Sequence, residues 1–265
     1  MYAFTYHRAT GLRHAANLLE KLEDPKILAG GQTLLPTMKQ RLASPTNLID
    51  LDRVEGMSEI TAAGRSITIG ALTRHNDVHK SPIVQQAIPA LAYLAGLIGD
   101  PAVRHRGTIG GSVANNDPNA DYPAACLALA ATIVTNKRKI AADEFFKGLF
   151  ETALEPNEII TKITFSVPKK AGYYKFRNQA SRFALVGVFV AKRPSEIRVA
   201  VTGAGSSGVF RVPSFEDALK KRFSPKSLEG LTIPADGLAG DIHGSAEYRA
   251  HLVGVLARRA VADAG

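Results

Sequence analysis

The sequence predicts an α+β fold, and three observations lead to this class. Strand-like and helix-like segments alternate up to about residue 166. Apolar segments typical of strands dominate after residue 170, and the chain ends in a long helix. The change of pattern falls at residues 167–172, which contain a proline, two lysines and a glycine. We therefore expect three units, at residues 1–54, 55–170 and 171–265.

The first unit reads as a small α/β arrangement. An apolar stripe at helical spacing predicts a helix over residues 12–22, with Thr10 as its N-cap. A strand follows at residues 25–29, and a second helix is expected to begin near residues 33–34. Residues 47–51 predict another short strand.

The second unit continues this mixture of helices and strands. Residues 66–71 alternate like a strand, and Thr73 is expected to cap a helix that runs through Val78. A mostly apolar helix is expected over residues 85–98, with a break at Pro89. Further along, the pattern predicts a helix at 120–130 and strands at 132–135 and 160–165.

The third unit is rich in predicted strands. Its strands are expected at residues 173–176, 186–191 and 197–202, and its final helix at 245–263. Residues 203–208 spell G-x-G-x-x-G, but an extended, proline-stopped segment follows instead of the helix that a dinucleotide fold requires. We therefore interpret this motif as a hairpin-like turn.

Composition limits the functions that the chain could have. The net charge of +9 comes without a dense lysine and arginine block, so we expect no nucleic-acid binding. Its single cysteine, Cys126, cannot supply the thiolates of an iron–sulfur cluster or a disulfide framework. His75 and His79 lack a nearby third ligand, so no metal site is expected. Without a signal peptide or a run long enough to span a membrane, the chain is expected to be cytoplasmic.

Two glycine-rich segments carry the main functional signal. The first glycine segment, residues 28–36, places Gly30 and Gly31 between a predicted strand and a predicted helix. The second glycine segment, residues 107–121, combines glycines, hydroxyls, asparagines and aspartates. Glycine lets backbone N–H groups approach a ligand, and a helix N-terminus attracts negative charge. Either segment alone could be ordinary turn chemistry. Together, about 80 residues apart, they fit a ligand with a central pyrophosphate.

These segments resemble the two FAD-binding motifs in the flavoprotein (medium) subunits of molybdenum hydroxylases, the carbon monoxide dehydrogenase medium-subunit and xanthine dehydrogenase FAD-subunit family. The matching residues read AGGQTLLP at 29–36 and TIGGS at 108–112. The same pattern also matches residues 174–175, 177–188, 199–205 and 245–249, so the resemblance covers almost the whole chain. It implies a PCMH-type FAD-binding domain of two subdomains, followed by an α+β C-terminal domain with an antiparallel sheet and helices.

The resemblance implies which residues contact a non-covalently bound FAD. They are Ala29, Gly30, Gly31, Gln32, Thr33, Leu34, Leu35, Thr108, Gly110, Gly111, Ser112, Asn115, Asp121, Ile160, Lys175 and Phe183.

Three of these residues have alternative interpretations, and a neighbour departs from the family pattern. Asp121 could bind the flavin or only stabilise the dipole of the helix that it opens. Lys175 could hold the negative charge of reduced flavin or be a solvated lysine. Phe183 could stack on the flavin ring or belong to an ordinary core. Arg182 stands where we expect an acidic residue, which leaves the electron acceptor open.

By resemblance, the chain is expected to work in a hetero-oligomer. A molybdopterin-binding large subunit would hydroxylate the substrate, and an iron–sulfur subunit with [2Fe–2S] clusters would pass electrons to FAD on this chain. The single cysteine agrees with clusters on a partner. Two alternatives remain open at this point: a self-contained flavin oxidase of the same superfamily, and a basic α+β binding module without flavin.

Overall fold

The first unit is a three-stranded parallel sheet with two helices. The computed structural model describes residues 1–264. The elements of this unit are β1 (Thr5–Arg8), α1 (Leu12–Lys21), β2 (Pro25–Leu28), α2 (Leu34–Lys39) and β3 (Asn47–Asp50). Strand β3 lies between β1 and β2 and is parallel to both. The predicted strands and helices are confirmed here.

The predicted N-cap of α1 is wrong. The helix begins after Gly11, which offers no side-chain oxygen to the first turn. The Thr10 backbone N–H and hydroxyl instead lie 3.2 Å and 3.1 Å from Nδ1 of His14. Thr10 therefore contacts a side chain within the helix instead of capping its backbone.

The second unit contains a five-stranded antiparallel sheet in the order β4-β5-β10-β6-β7 and a separate β8–β9 hairpin. Its strands are β4 (Ile60–Ala63), β5 (Ser66–Gly70), β6 (Thr132–Thr135), β7 (Lys139–Ala141), β8 (Phe146–Gly148), β9 (Glu151–Thr152) and β10 (Ile160–Ser166). Its helices are α3 (His75–Lys80), α4 (Pro82–Ala87), α5 (Pro89–Gly96), α6 (Pro101–Arg106), α7 (Ile109–Asn115), α8 (Tyr122–Ala128) and α9 (Ala142–Phe145).

Two predictions for this unit require correction, and one is confirmed. Thr73 does not cap α3, because Arg74 is the N-cap residue and no side chain caps that helix. The break expected at Pro89 within residues 85–98 is confirmed, since Ile88 leaves helical geometry there and separates α4 from α5. The second glycine segment is not only a turn: it contains α7, and α8 begins at Tyr122.

The third unit is a four-stranded antiparallel sheet covered by helices. Its elements are β11 (Lys170–Arg177), β12 (Ala184–Lys192), β13 (Ile197–Thr202), β14 (Phe210–Arg211), α10 (Pro213–Lys221), a 3-10 helix (Pro225–Leu228) and α11 (Ala246–Ala262). The G-x-G-x-x-G segment connects two antiparallel strands, so the hairpin interpretation is confirmed. Ser245 caps the final helix by accepting a hydrogen bond from the Tyr248 N–H.

Two hydrophobic cores lie against the three larger sheets. One core joins residues of the first two units and reaches Phe189 on one face of β12. The other core contains Val188 and Val190 and lies between β12 and α11. Helix α8 packs on β12 and β13, so the third sheet is covered on both faces. No helix among residues 1–264 is long and apolar enough to cross a membrane.

Candidate cofactor-binding site

A cavity of about 580 Å³ lies where residues from all three units meet. Its walls come from the first glycine segment, the second glycine segment and the turn between β11 and β12. A volume of roughly 300–1,000 Å³ is typical of sites for small molecules and cofactors. The cavity is therefore large enough for a cofactor, and the residues predicted to bind FAD are expected to line it.

The two glycine segments touch each other at Gly30. A Cβ atom built on Gly30 would overlap the carbonyl oxygen of Arg106 and lie 2.7 Å from Cα of Gly107. Only a residue without a side chain allows two backbones to approach so closely. The contact joins segments that are about 80 residues apart in the chain and makes them one continuous wall.

The first glycine segment presents unpaired backbone donors. Gly31 has a φ of +72°, which turns the chain from β2 towards α2. The backbone N–H groups of Gly31, Gln32 and Thr33 donate to no residue among those the structure describes. All three residues line the cavity. This segment therefore offers unpaired N–H groups of the kind that can bind an anion, as the sequence predicted for this turn.

The second glycine segment does not offer free N–H groups at its start, although the sequence predicted them. Its first N–H groups already donate hydrogen bonds within the protein. Ile109 donates to the carbonyl of Thr73, Gly110 to that of Ala71, and Gly111 to the hydroxyl of Thr108 at 3.2 Å. Gly110 also packs so closely on Ala71 that a Cβ would lie 2.5 Å from the alanine methyl. Here the glycines mainly allow close packing.

The loop from residue 116 to residue 121 is held by both of its neighbours. Asn116 is left-handed, with φ at +44°, and its amide donates to two carbonyls of the β8–β9 hairpin, each at 2.8 Å. On the other side, the Thr202 hydroxyl lies 3.0 Å from the Pro118 carbonyl and 2.6 Å from that of Ala120. The third sheet thus fixes a loop that lines the cavity.

Asp121 is the centre of a buried polar network. Its Oδ1 accepts a 2.5 Å hydrogen bond from the Tyr173 hydroxyl and lies 2.9 Å from Nζ of Lys175. Its Oδ2 accepts from the same ammonium group at 3.0 Å. The side chains of Asp121 and Lys175 are only 3% and 2% exposed. The interpretation of Lys175 as a solvated strand lysine is therefore wrong.

Glu158 forms a second satisfied carboxylate in the cavity wall. It accepts hydrogen bonds from the guanidinium of Arg138, the hydroxyl of Thr135 and the N–H of Glu155. Burial opposes its ionisation, but these donors outweigh burial and lower the pKa of Glu158 to about 2. Glu158 is therefore a carboxylate at neutral pH.

His75 lines the cavity behind the second glycine segment. Its Nε2 would lie 2.6 Å from a Cβ on Gly107, so this glycine makes room for the imidazole. Burial, together with the nearby positive charge of Arg104, lowers the pKa of His75 to about 4. The ring is therefore neutral, and its Nδ1 has no hydrogen-bond partner in the part of the chain that the structure describes.

Arg182 and Phe183 line the cavity and are exposed, on the turn between β11 and β12. The side-chain oxygen of Asn178 holds the turn by accepting from the N–H groups of Ala180 and Ser181. Phe183 is 45% exposed, so it is not an ordinary core residue. Arg182 has a φ of +62°, an uncommon conformation for a non-glycine residue.

The structure brings together most residues that the sequence singled out. Of the sixteen, only Leu35 and Lys175 do not line the cavity. Leu35 packs behind Gly31, and Lys175 reaches the cavity through Asp121. Sequence reasoning missed several lining residues, namely Lys26, His75, Asp117, Leu154, Pro156, Glu158 and Ile159. Of these, Asp117 lay inside the second glycine segment and could have been found there.

The donor set and the shape of this cavity fit FAD. Unpaired N–H groups at residues 31–33 suit a pyrophosphate, and the glycine wall leaves space that side chains would fill. Apolar and aromatic side chains, including Ile160 and Phe183, provide surface for a flavin ring.

Comparison with known proteins agrees with this assignment. Residues 2–170 match the family described as "FAD binding domain in molybdopterin dehydrogenase". The carbon monoxide dehydrogenase medium chain of Hydrogenophaga pseudoflava is 36% identical, with 97% of this chain and 96% of the relative covered. The nicotine 6-hydroxylase medium subunit of Paenarthrobacter nicotinovorans is 38% identical, with 99% and 98% covered.

Solved structures show the same similarity over the whole fold. A chain of the carbon monoxide dehydrogenase from Hydrogenophaga pseudoflava matches with a TM-score of 0.88 at 36% identity, covering 98% of this chain and 96% of that chain. A chain of quinoline 2-oxidoreductase from Pseudomonas putida 86 also gives a TM-score of 0.88, at 26% identity and with the same coverage. The protein therefore belongs to the family of FAD-binding medium subunits of molybdenum hydroxylases, and it is an oxidoreductase subunit whose cofactor is FAD.

Proposed function

We propose that this chain transfers electrons from [2Fe–2S] clusters on a partner iron–sulfur subunit, through its FAD, to an external acceptor. Bound FAD supplies the redox chemistry, since a flavin exchanges electrons singly or in pairs. The observation that carries the proposal is the single cavity that unites both glycine segments. A molybdopterin-binding large subunit would complete the complex and hold the substrate.

The division of labour among subunits follows from what this chain contains. Its single cysteine, Cys126, is buried, and burial raises the pKa of its thiol. No group of three or more His, Cys, Asp or Glu side chains suited to a metal occurs within residues 1–264. Clusters and molybdenum are therefore assigned to the partners. The cysteine content also fits the cytoplasmic location that the sequence predicts.

We also propose a placement for the cofactor within the cavity. The pyrophosphate lies against the N–H groups of Gly31, Gln32 and Thr33, where a helix N-terminus adds a favourable field. The flavin lies near Asp121 and Phe183, at the opposite part of the wall. In this placement Lys175 acts on the flavin through the charge of Asp121.

Visible absorption of the purified full chain tests the function directly. We expect flavin bands from the chain alone, reduction of the bound FAD by an artificial reductant, and no hydroxylation of any substrate. A colourless chain that takes up no added FAD would instead indicate the flavin-free binding module. Substrate turnover by the metal-free chain would indicate a self-contained oxidase.

Gly111→Val should weaken FAD binding while the chain still folds. The new side chain would project from the glycine wall, with its Cβ 2.9 Å from the Thr108 hydroxyl. Overpacking of this kind costs about 1–3 kcal/mol, which lowers FAD affinity by about 5- to 150-fold. Flavin fluorescence titration measures the affinity. Gly11→Val is the matched control, because a Cβ at Gly11 meets no atom within 4 Å. Wild-type affinity in Gly111→Val would contradict the placement.

A further inference from the structure

Three carboxylates line the cofactor cavity: Asp117, Asp121 and Glu158. Both oxygens of Asp121 accept hydrogen bonds from Tyr173 or Lys175. Both oxygens of Glu158 likewise accept from protein donors. These two carboxylates therefore have little capacity left for the cofactor.

Asp117 has an oxygen that remains free to accept. Its Oδ1 accepts a 2.8 Å hydrogen bond from the N–H of Asn119, while its Oδ2 accepts none from residues 1–264. Burial raises the pKa of Asp117, although the Asn119 N–H opposes this effect. Oδ2 can therefore accept a hydrogen bond from a ligand in the cavity that Asp117 lines.

The loop that carries Asp117 cannot easily turn it elsewhere. Asn116 is tied to the β8–β9 hairpin, and the carbonyls of Pro118 and Ala120 accept from Thr202 on the third sheet. The Asn119 N–H fixes the carboxyl group itself. Asp117 is therefore preorganised to bind, and little conformational entropy is lost when a ligand arrives.

Charge decides which part of FAD the carboxylate meets. A carboxylate beside the pyrophosphate would be repelled, whereas the hydroxyl groups of the ribityl chain are neutral donors. Along the chain, Asp117 lies between Gly111 in the glycine wall and Asp121, which the proposed placement puts near the flavin. The ribityl chain likewise lies between the pyrophosphate and the flavin ring.

We propose that Asp117 is a cofactor-binding residue whose free Oδ2 accepts a hydrogen bond from a ribityl hydroxyl of FAD. The inference rests on the proposed placement of the pyrophosphate and the flavin. It adds an acceptor to a wall whose other contacts to the cofactor are mainly N–H donors and apolar groups.

The test compares four ligands on the full chain after removal of FAD: FAD, riboflavin, lumiflavin and ADP. Lumiflavin lacks the ribityl hydroxyls, and ADP lacks the flavin. Asp117→Asn should weaken FAD and riboflavin by about 10- to 100-fold, because a hydrogen bond to a charged group contributes about 1.5–3 kcal/mol. Lumiflavin and ADP should bind as they do to the wild type. Asp77→Asn, on the exposed side of α3, is the control.

Each other result contradicts the assignment. Unchanged FAD and riboflavin affinity would show that Asp117 is not a ligand, and equal loss for lumiflavin would assign it to the ring. A loss confined to FAD and ADP would place it at the adenosine ribose. Asp117→Ala must reproduce the pattern with an unchanged circular dichroism spectrum. If the wild-type chain bound none of the four ligands, the proposed function itself would fail.

Discussion

Lys175→Met is expected to destabilise the chain by about 3–5 kcal/mol, the range observed when one partner of a buried ion pair is removed. The ammonium of Lys175 contacts both oxygens of Asp121, and both side chains are almost fully buried. Methionine fills a similar volume but leaves Asp121 as a buried charge with only the Tyr173 hydroxyl as donor. Urea denaturation with a fixed FAD concentration measures the loss.

The double variant Asp121→Asn/Lys175→Met is the control for this prediction. Removing both charges avoids an uncompensated buried carboxylate, so the double variant should be more stable than Lys175→Met alone. A destabilisation below about 1 kcal/mol in Lys175→Met, the range of exposed ion pairs, would show that the pair is solvated.

The same variant should change the flavin if the proposed placement is right. An uncompensated Asp121 carboxylate at the cavity wall disfavours added electrons, so the midpoint potential of the bound FAD should fall. Redox titration of wild-type and Lys175→Met holoproteins measures the shift. Arg177→Met, at the exposed end of β11, serves as a matched removal of charge. An unchanged potential in Lys175→Met would remove the Asp121–Lys175 pair from the flavin environment.

Local sequence patterns predicted most of the fold, because apolar periodicity and turn residues determine most of its helices and strands. Strand β13 was predicted with its observed bounds, and the G-x-G-x-x-G hairpin was recognised from the extended segment that follows it. The caps were harder, because Thr10 and Thr73 have the right side chains but different backbone positions relative to their helices. Helix α7 escaped prediction since glycine and asparagine are weak helix formers.

The sequence predicted which residues form the site better than it predicted their hydrogen bonds and ion pairs. The two glycine segments indicate places where the backbone can approach a ligand closely. Residues of both segments line one cavity. What a side chain contacts across 50 or more residues leaves no local trace, so the pairing of Lys175 with Asp121 was not foreseen. The same holds for the occupied N–H group of Gly110, which depends on a tertiary contact with Ala71.

Such a non-local contact also determines the expected result of Gly30→Ala. The added methyl would overlap the Arg106 carbonyl and crowd Cα of Gly107. Both are backbone atoms, so no side-chain rotation can relieve the overlap, and the two glycine segments must separate. We expect a loss of about 1–3 kcal/mol in the free energy of unfolding. FAD affinity should fall by at least about 100-fold, because the cofactor must then bind a wall whose two halves no longer fit together.

Gly111→Ala provides the matched comparison for Gly30→Ala. Its Cβ would lie 2.9 Å from the Thr108 hydroxyl, which can rotate away at the cost of one hydrogen bond from the Gly111 N–H, and 4.0 Å from the methyl of Ala29. The same chemical change should therefore cost less stability and less FAD affinity at residue 111 than at residue 30. Flavin fluorescence titration and urea denaturation of both variants measure the difference. If Gly30→Ala retained the affinity and stability of the wild type, the contact between the two segments would not be what shapes the cofactor wall.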